Sequence, residues 1–291
     1  MLLGPFEEAA STERAPPRLG QICLDGPLQL LSYTLEPNSL HAVVGIGLVA
    51  GTLWGKPVPS KQSKKLDTRS ICTVIAAFNE AGVVGPIVSD LVRRGYSVVV
   101  VDDGSQDTTG QVALSAGATV ITHPVNLGQG AALQTGLKFA LQQNASYIVT
   151  FDADGQHRPS DVTRLIDALV EHKAAYALGS RFLGSSRGMP FGRRVLLQAA
   201  IWLTRAMTGL RLTDTHNGLR AMTRAGASRI SLRQNRMAHA SELLEQIAAS
   251  GLPLVEVPVT IDYTRYSLAK GQRLSDSLTI LFDLSAQKLQ R

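Results

Sequence analysis

Three apolar runs that each end in a polar cluster constrain this chain more than any other feature. Ile71–Phe78 leads into Asn79-Glu80, Tyr96–Val101 into Asp102-Asp103-Gly104-Ser105-Gln106-Asp107, and Tyr147–Phe151 into Asp152-Ala153-Asp154. Short apolar runs separated by helix-like stretches read as buried strands of a parallel sheet. Parallel strands place their carboxyl ends on one edge, so the three clusters are expected on a single rim, where α/β sheets bind ligands. Asp152 and Asp154, two carboxylates one residue apart at the mouth of a strand, make a hard-oxygen site suited to Mg²⁺ or Mn²⁺. A cation with so few protein ligands typically completes its shell from a diphosphate.

The alternation is regular from Ser70 onward. Helices are expected over Ala81–Arg94, with Gly95 as its C-cap, Thr108–Ser115, Gly130–Gln142 and Ser160–His172. Further strands are expected over Ala118–Thr122 and Ala175–Gly179. In Ser160–His172 the stripe Val162, Leu165, Ile166 and Leu169 recurs at helical spacing, with Pro159 at its start. This order predicts an α/β domain whose Rossmann-like, mostly parallel sheet carries helices on both faces. After Arg181 the alternation breaks down. Helices Arg193–Thr208 and Ala238–Ser250, strands Asn217–Met222 and Pro253–Ile261, and an amphipathic helix Ser275–Leu289 are expected there.

The domain is placed at residues 70–291, and residues 1–69 read as an N-terminal extension. Pro16-Pro17, Gly26-Pro27 and Pro57-Val58-Pro59 punctuate the extension, and Lys56–Arg69 is a polar, basic linker. Within it, Leu40–Trp54 is apolar but shorter than the ~20 residues that span a bilayer. It reads as a packed helix or strand or a poorly ordered extension, as a membrane-associated or re-entrant segment, or as an upstream extension outside the functional protein. Met1–Ala10 carries Glu7 and Glu8 and no cationic region, unlike a secretory signal.

The net charge of +6 suits anionic partners such as nucleotides, lipid phosphates or an anionic membrane face. No Lys/Arg stretch with interleaved aromatics appears, which argues against nucleic acid. Cys23 and Cys72 are the only cysteines, so no disulfide framework is expected and a reducing, cytoplasmic compartment fits.

Ala76-Ala77-Phe78-Asn79-Glu80, the Asp102–Asp107 cluster and Asp152-Ala153-Asp154, in that order at strand ends, resemble the motifs of the family 2 glycosyltransferases with the GT-A fold. Asn126-Leu127-Gly128-Gln129-Gly130, Gly179-Ser180-Arg181-Phe182 and Asp214-Thr215-His216-Asn217-Gly218 extend the resemblance over about residues 70–265. The nearest branch contains the dolichyl- and polyprenyl-phosphate sugar synthases. The family's first motif usually reads Pro-x-Tyr-Asn-Glu; here Phe78 keeps the ring and lacks the hydroxyl.

The resemblance implies that Ala76, Phe78 and Glu80 line a nucleoside pocket and that Asp102 or Asp103 meets the base or ribose. Asp152 and Asp154, with Gln156 as a further ligand, would hold a metal–diphosphate. Gly128 and Gly130 precede a helix, where backbone N–H groups approach an anion or a tight turn enters the helix. Arg181 would pair with a phosphate, Arg193 and Arg194 with an acceptor phosphate, and Arg265 and Lys270 with donor or acceptor phosphates from a loop after the last strand. Asp107 reads as a helix cap, and His157 as a neighbour of the metal ligands.

Asp214 is the first candidate for a general base toward a hydroxyl acceptor, with Glu242, His239 and His216 behind it. A phosphate acceptor is already anionic and needs no base, which leaves Asp214 a positioning role or a turn cap.

The resemblance implies an inverting, metal-dependent enzyme that moves a sugar from a nucleoside diphosphate-sugar to a polyprenyl or dolichyl phosphate. Such an enzyme would work peripherally on the cytoplasmic face of a membrane, on its final helix or through a membrane-protein partner. A buried core position explains the stripe of that helix equally well. Transfer to a sugar hydroxyl in polysaccharide synthesis, and nucleotide-sugar binding without turnover, stay open as alternatives. A nucleotidyltransferase is disfavoured, because Ala76–Gly82 carries no cation.

Overall fold

The computed structural model describes residues 67–234, 238–264 and 266–267. In chain order these form β1 (Ile71–Ala77), α1 (Val84–Arg93), β2 (Ser97–Asp102), α2 (Thr109–Ser115), β3 (Thr119–Thr122), α3 (Gln129–Gln142) and β4 (Tyr147–Asp152). There follow α4 (Ser160–Glu171), β5 (Tyr176–Arg187), α5 (Phe191–Thr208), β6 (Arg220–Thr223), α6 (Arg224–Ala227), α7 (Ala238–Ser250) and β7 (Leu254–Asp262). Leu40–Trp54, Arg265, Lys270 and the expected helix Ser275–Leu289 lie outside the described residues.

Seven strands form one sheet in the order β3-β2-β1-β4-β6-β5-β7. All run in one direction except β6, which is antiparallel to β4 and β5. The alternation of side chains along each strand feeds two cores. Ile75, Val100, Val149 and Phe151 pack beneath α1, α2 and α4, against Val84, Val88, Leu91, Ala113, Leu165 and Ile166. Val74, Val99, Val101 and Ile148 pack on the other face, against Leu133 and Leu137 of α3 and Leu243, Leu244 and Ile247 of α7. Each such side chain contributes about 1.5–3 kcal/mol on burial. The two apolar layers therefore fix the sheet and hold its rim still.

From β1 the chain moves outward to β2 and β3, then returns to place β4 on the other side of β1. That reversal opens a crevice at the strand carboxyl ends. Register makes the convergence concrete: Ala77 pairs with Asp102, and Ala76 pairs with Asp152. Because β6 is reversed, its beginning reaches the same rim, carrying Gly218 and Arg220 there.

Three boundaries differ from those expected by three residues or more. α1 starts at Val84 rather than Ala81, because the Val83 and Val84 N–H groups first turn back onto the Glu80 carbonyl. β5 continues to Arg187 instead of ending at Gly179. Its second half is largely exposed and breaks the apolar pattern, and it is held by backbone pairing to β7 beyond an irregularity between Ser180 and Ser185, which side-chain patterning cannot reveal. β6 begins at Arg220 rather than Asn217 and is followed directly by the short α6, which the pattern did not signal.

Candidate active site

The polar clusters are fastened to one another. Asn79 adopts φ 54°, a left-handed conformation that asparagine tolerates. Its backbone N–H donates to Ser105 Oγ at 3.0 Å, and its Oδ1 accepts from Gln106 N–H at 2.8 Å. Glu80 N–H donates to Thr109 Oγ1 at 2.7 Å, and Asp107 accepts from Ala81 N–H at 3.2 Å and Thr109 N–H at 2.9 Å. The turn after β1 and the loop after β2 are thus one hydrogen-bonded unit.

Asp102 belongs to this frame. Its Oδ1 accepts from Ser105 N–H at 3.0 Å, and its Oδ2 packs on Gly110, where a Cβ would approach to 2.7 Å. Asp103 faces the crevice and fastens the next loop. It accepts from Leu127 N–H at 3.0 Å and Gly128 N–H at 2.7 Å, and lies 2.7 Å from His123 Nδ1. The Gly128 N–H is therefore committed to Asp103.

The crevice holds a cavity of about 440 Å³. The β1–β2 side contributes Ala76, Phe78, Glu80 and Asp103, followed by Gly128 ahead of α3. Asp152, Asp154 and Gln156 enter after β4; Arg181, His216 and Arg220 come from the β5–β6 side, Arg193 from α5 and His239 from α7. Asp102, Asp214 and Arg194 do not line it.

Asp152 lies 2.9 Å from His157 Nε2 and accepts from Gln129 Nε2 at 3.4 Å. His157 sits edge-on to Phe151, with ring centroids 5.5 Å apart, and so orients the carboxylate. Burial opposes the Asp152 charge, but His157, Arg220 and His239 outweigh it and hold the carboxyl below its ordinary range. Burial and the neighbouring Asp152 charge push Asp154 up to about 6.

Two close carboxylates with only oxygen donors, one of them ionising at a cost, form a site that a small divalent cation relieves. Among the described residues no three His, Cys, Asp or Glu side chains converge to hold a metal by themselves. The donor set therefore fits Mg²⁺ or Mn²⁺ completed by phosphate oxygens.

Each guanidinium nitrogen of Arg181 makes a hydrogen bond. Its Nε donates to Asp214 at 2.6 Å, one terminal nitrogen donates to Tyr263 Oη at 2.7 Å, and the other donates to the His216 carbonyl. Burial disfavours this cation, but Asp214 and Tyr263 outweigh it and raise its pKa. The Asp214 side chain has 0 % exposure. Glu256 on β7 positions it by accepting from the Thr213 N–H at 2.8 Å and the Asp214 N–H at 3.2 Å. Arg193 lies over the Tyr263 ring, 5.3 Å from its centroid. Tyr266 donates to Glu80 Oε2 at 2.6 Å and brings the segment after β7 to the β1 turn.

Of the weaker base candidates, Glu242 accepts from Arg233 N–H at 3.1 Å and Gln234 N–H at 2.9 Å, away from the cavity. Burial lowers His216 to about 4. Sequence reasoning passed over Arg220, Glu256 and Tyr266. Arg220 had a signal, a lone cation between Leu219 and the apolar Ala221-Met222. Glu256 and Tyr266 act through contacts that no local pattern encodes.

The model for the glycosyl transferase family 2 matches residues 72–233, spanning β1 to α6 and thus both carboxylates and the rim that holds them. The chain is a family 2 glycosyltransferase. This glycosyltransferase is 31% identical over 241 residues to a UDP-N-acetylglucosamine–dolichyl-phosphate N-acetylglucosaminyltransferase of Methanococcus voltae, covering 75% of this chain and 96% of that one. It is 30% identical to the polyprenol monophosphomannose synthase of Mycolicibacterium smegmatis, covering 70% and 81%. Such relatives place it in the polyprenyl-phosphate sugar synthase-like branch of the family.

Its GT-A fold is shared with glucosyl-3-phosphoglycerate synthase of Mycobacterium tuberculosis, solved with Mn²⁺, UDP-glucose and phosphoglyceric acid. The TM-score is 0.58 at 19% identity, over 75% of this chain and 79% of that one.

Proposed function

We propose that this glycosyltransferase is inverting and metal-dependent, and that it transfers a sugar from a nucleoside diphosphate-sugar to a polyprenyl or dolichyl phosphate. Relatives named for dolichyl and polyprenol phosphate acceptors support the reading. The observation that carries it is the enclosure of Asp214. A hydroxyl acceptor needs a base within hydrogen-bond reach, and this carboxylate is sealed beneath Arg181. An acceptor phosphate is anionic already and requires no such group.

In this reading Ala76, Phe78 and Glu80 hold the nucleoside, with Asp103 fixing the loop beside it. Asp152 and Asp154, with Gln156, would hold Mg²⁺ or Mn²⁺, which supplies charge neutralisation at the diphosphate. An acceptor phosphate oxygen forms the new bond at the anomeric carbon as the bond to the diphosphate breaks, and the electron pair leaves with the nucleoside diphosphate. Asp214 keeps Arg181 in place, and Arg193 meets the acceptor.

The test is nucleoside diphosphate release from a panel of nucleotide-sugars with Mg²⁺ or Mn²⁺, with and without polyprenyl phosphate. Release that requires both metal and lipid is expected. In the same assay Asp214→Asn separates the acceptors: for a hydroxyl acceptor chemistry collapses while donor binding stays. Release without the lipid would overturn the acceptor assignment.

A peripheral position at a membrane is the reading that α5 supports. Phe191, Val195 and Trp202 are 81 %, 53 % and 74 % exposed and fall on one helical face, opposite the buried Leu197, Ala200 and Thr204. Exposed Arg194 and Arg205 flank the stripe. Aromatic residues beside arginines suit an anionic lipid interface. Among the described residues no helix is long and apolar enough to cross a membrane. Replacing both Phe191 and Trp202 with serine is expected to lower binding to anionic vesicles by at least about tenfold, since each ring contributes ~1.5–3 kcal/mol on burial. Vesicle flotation measures it, and unchanged flotation would remove α5 from the interface.

A further inference from the structure

We propose that Arg220 is an anion-binding residue of the cleft that takes a phosphoryl oxygen of a bound substrate. Arg220 opens β6, paired with Thr150 of β4 and Leu178 of β5 in the middle of the sheet. It is 4 % exposed, yet it lines the cavity. Among the described residues its guanidinium makes no hydrogen bond or ion pair.

A guanidinium presents five N–H donors and does not deprotonate in proteins, so a buried one without acceptors is costly until an anion arrives. The contrast with Arg181 is direct. Arg181, one of the arginines named from the sequence, has each of its guanidinium nitrogens engaged, by Asp214, Tyr263 and the His216 carbonyl. The carboxylates whose charge acts on Arg220 are Asp152 and Asp214. Asp152 is engaged by His157, and Asp214 Oδ2 by Arg181. The free fork of Arg220 is therefore the one built to accept a bidentate phosphoryl group.

The assignment rests on the cleft being a phosphate-handling transfer site. Its ligand is either the donor diphosphate or the acceptor monophosphate, which share this chemistry. Calorimetric titration of the parent enzyme, Arg220→Gln and Arg220→Lys separates them. One arm uses inorganic pyrophosphate with Mg²⁺, and the other uses a short-chain isoprenyl phosphate. Arg220→Gln is expected to weaken at least one arm by about tenfold or more, with Arg220→Lys intermediate because it keeps the charge and loses the fork.

Ligand-free Arg220→Gln is expected to stay folded with only a modest change in melting temperature, because losing a buried cation with no hydrogen-bonded acceptor offsets the loss of its attraction to Asp152 and Asp214. Weakening of the pyrophosphate arm alone assigns Arg220 to the donor, and of the isoprenyl phosphate arm alone to the acceptor. Unchanged affinities in both arms overturn the proposal. So does a large drop in melting temperature without loss of affinity, which marks a structural partner of Asp214. A parent enzyme that binds pyrophosphate through Arg220 but transfers no sugar to polyprenyl phosphate leaves this assignment standing and removes the acceptor reading.

Discussion

Replacing Asp154 with asparagine is expected to lower sugar transfer by at least about a thousandfold while raising the melting temperature of the metal-free protein. The two effects share one cause. Asp154 ionises near pH 6 in the folded chain, against 3.8 for the unperturbed group, because it is buried beside Asp152. Between those values the folded state binds more protons than the unfolded one, so stability falls as pH rises from about 4 to 6. Above pH 6 the whole cost is present, and asparagine removes it. The melting-temperature gap between variant and parent should therefore open across that window and stay constant above it.

Metal binding has the opposite dependence. The cation needs the ionised carboxylate, so parent affinity declines below pH 6 as protons compete. Loss of a Lewis acid worth several kcal/mol sets the rate effect. Scanning calorimetry over pH, with and without Mg²⁺, checks the first claim, and initial transfer rates check the second. An Asp154→Asn protein less stable than its parent at neutral pH would mean that the carboxylate is satisfied by a contact other than the one assigned to it.

Gly218→Ala is expected to cost about a hundredfold in transfer rate with the fold retained. A Cβ at this position would overlap both carboxylate oxygens of Asp152. The backbone is not free to yield, because Thr150 Oγ1 donates to the Gly218 carbonyl at 2.7 Å and ties it to β4. Asp152 must swing away from His157, and a displacement of about 1 Å at a reacting site is worth this much. Gly82→Ala is the matched control, since a methyl there meets nothing within 4 Å. Steady-state rates beside circular dichroism decide the point, and a fully active Gly218→Ala would show that Asp152 does not depend on its present position.

Much of this was legible in the sequence, for identifiable reasons. The strands β1, β2 and β4 are continuous apolar runs, and parallel topology sends the clusters behind them to one rim without further information. The acidic pair at the end of β2 was harder to rank. Asp102 and Asp103 are adjacent and chemically identical, and only the alternation of strand faces sends one toward α2 and the other toward the cavity. Arg181 was named and Arg220 passed over for a related reason. A motif reports that an arginine is present at a strand end, but not whether its donors are already spent. Asp214 is a base candidate through the family resemblance, which does not show what encloses it. Its partnership with Arg181, 33 residues earlier, belongs to tertiary structure.

The hydrogen bond from Tyr266 to Glu80 joins residues 186 positions apart. Glu80 leaves the ribosome early, among the first residues of the domain, while Tyr266 follows the last strand of the sheet. During synthesis the bonds that tie the β1 turn to the loop after β2 can form as soon as Thr109 has emerged, whereas this one must wait for the end of the sheet.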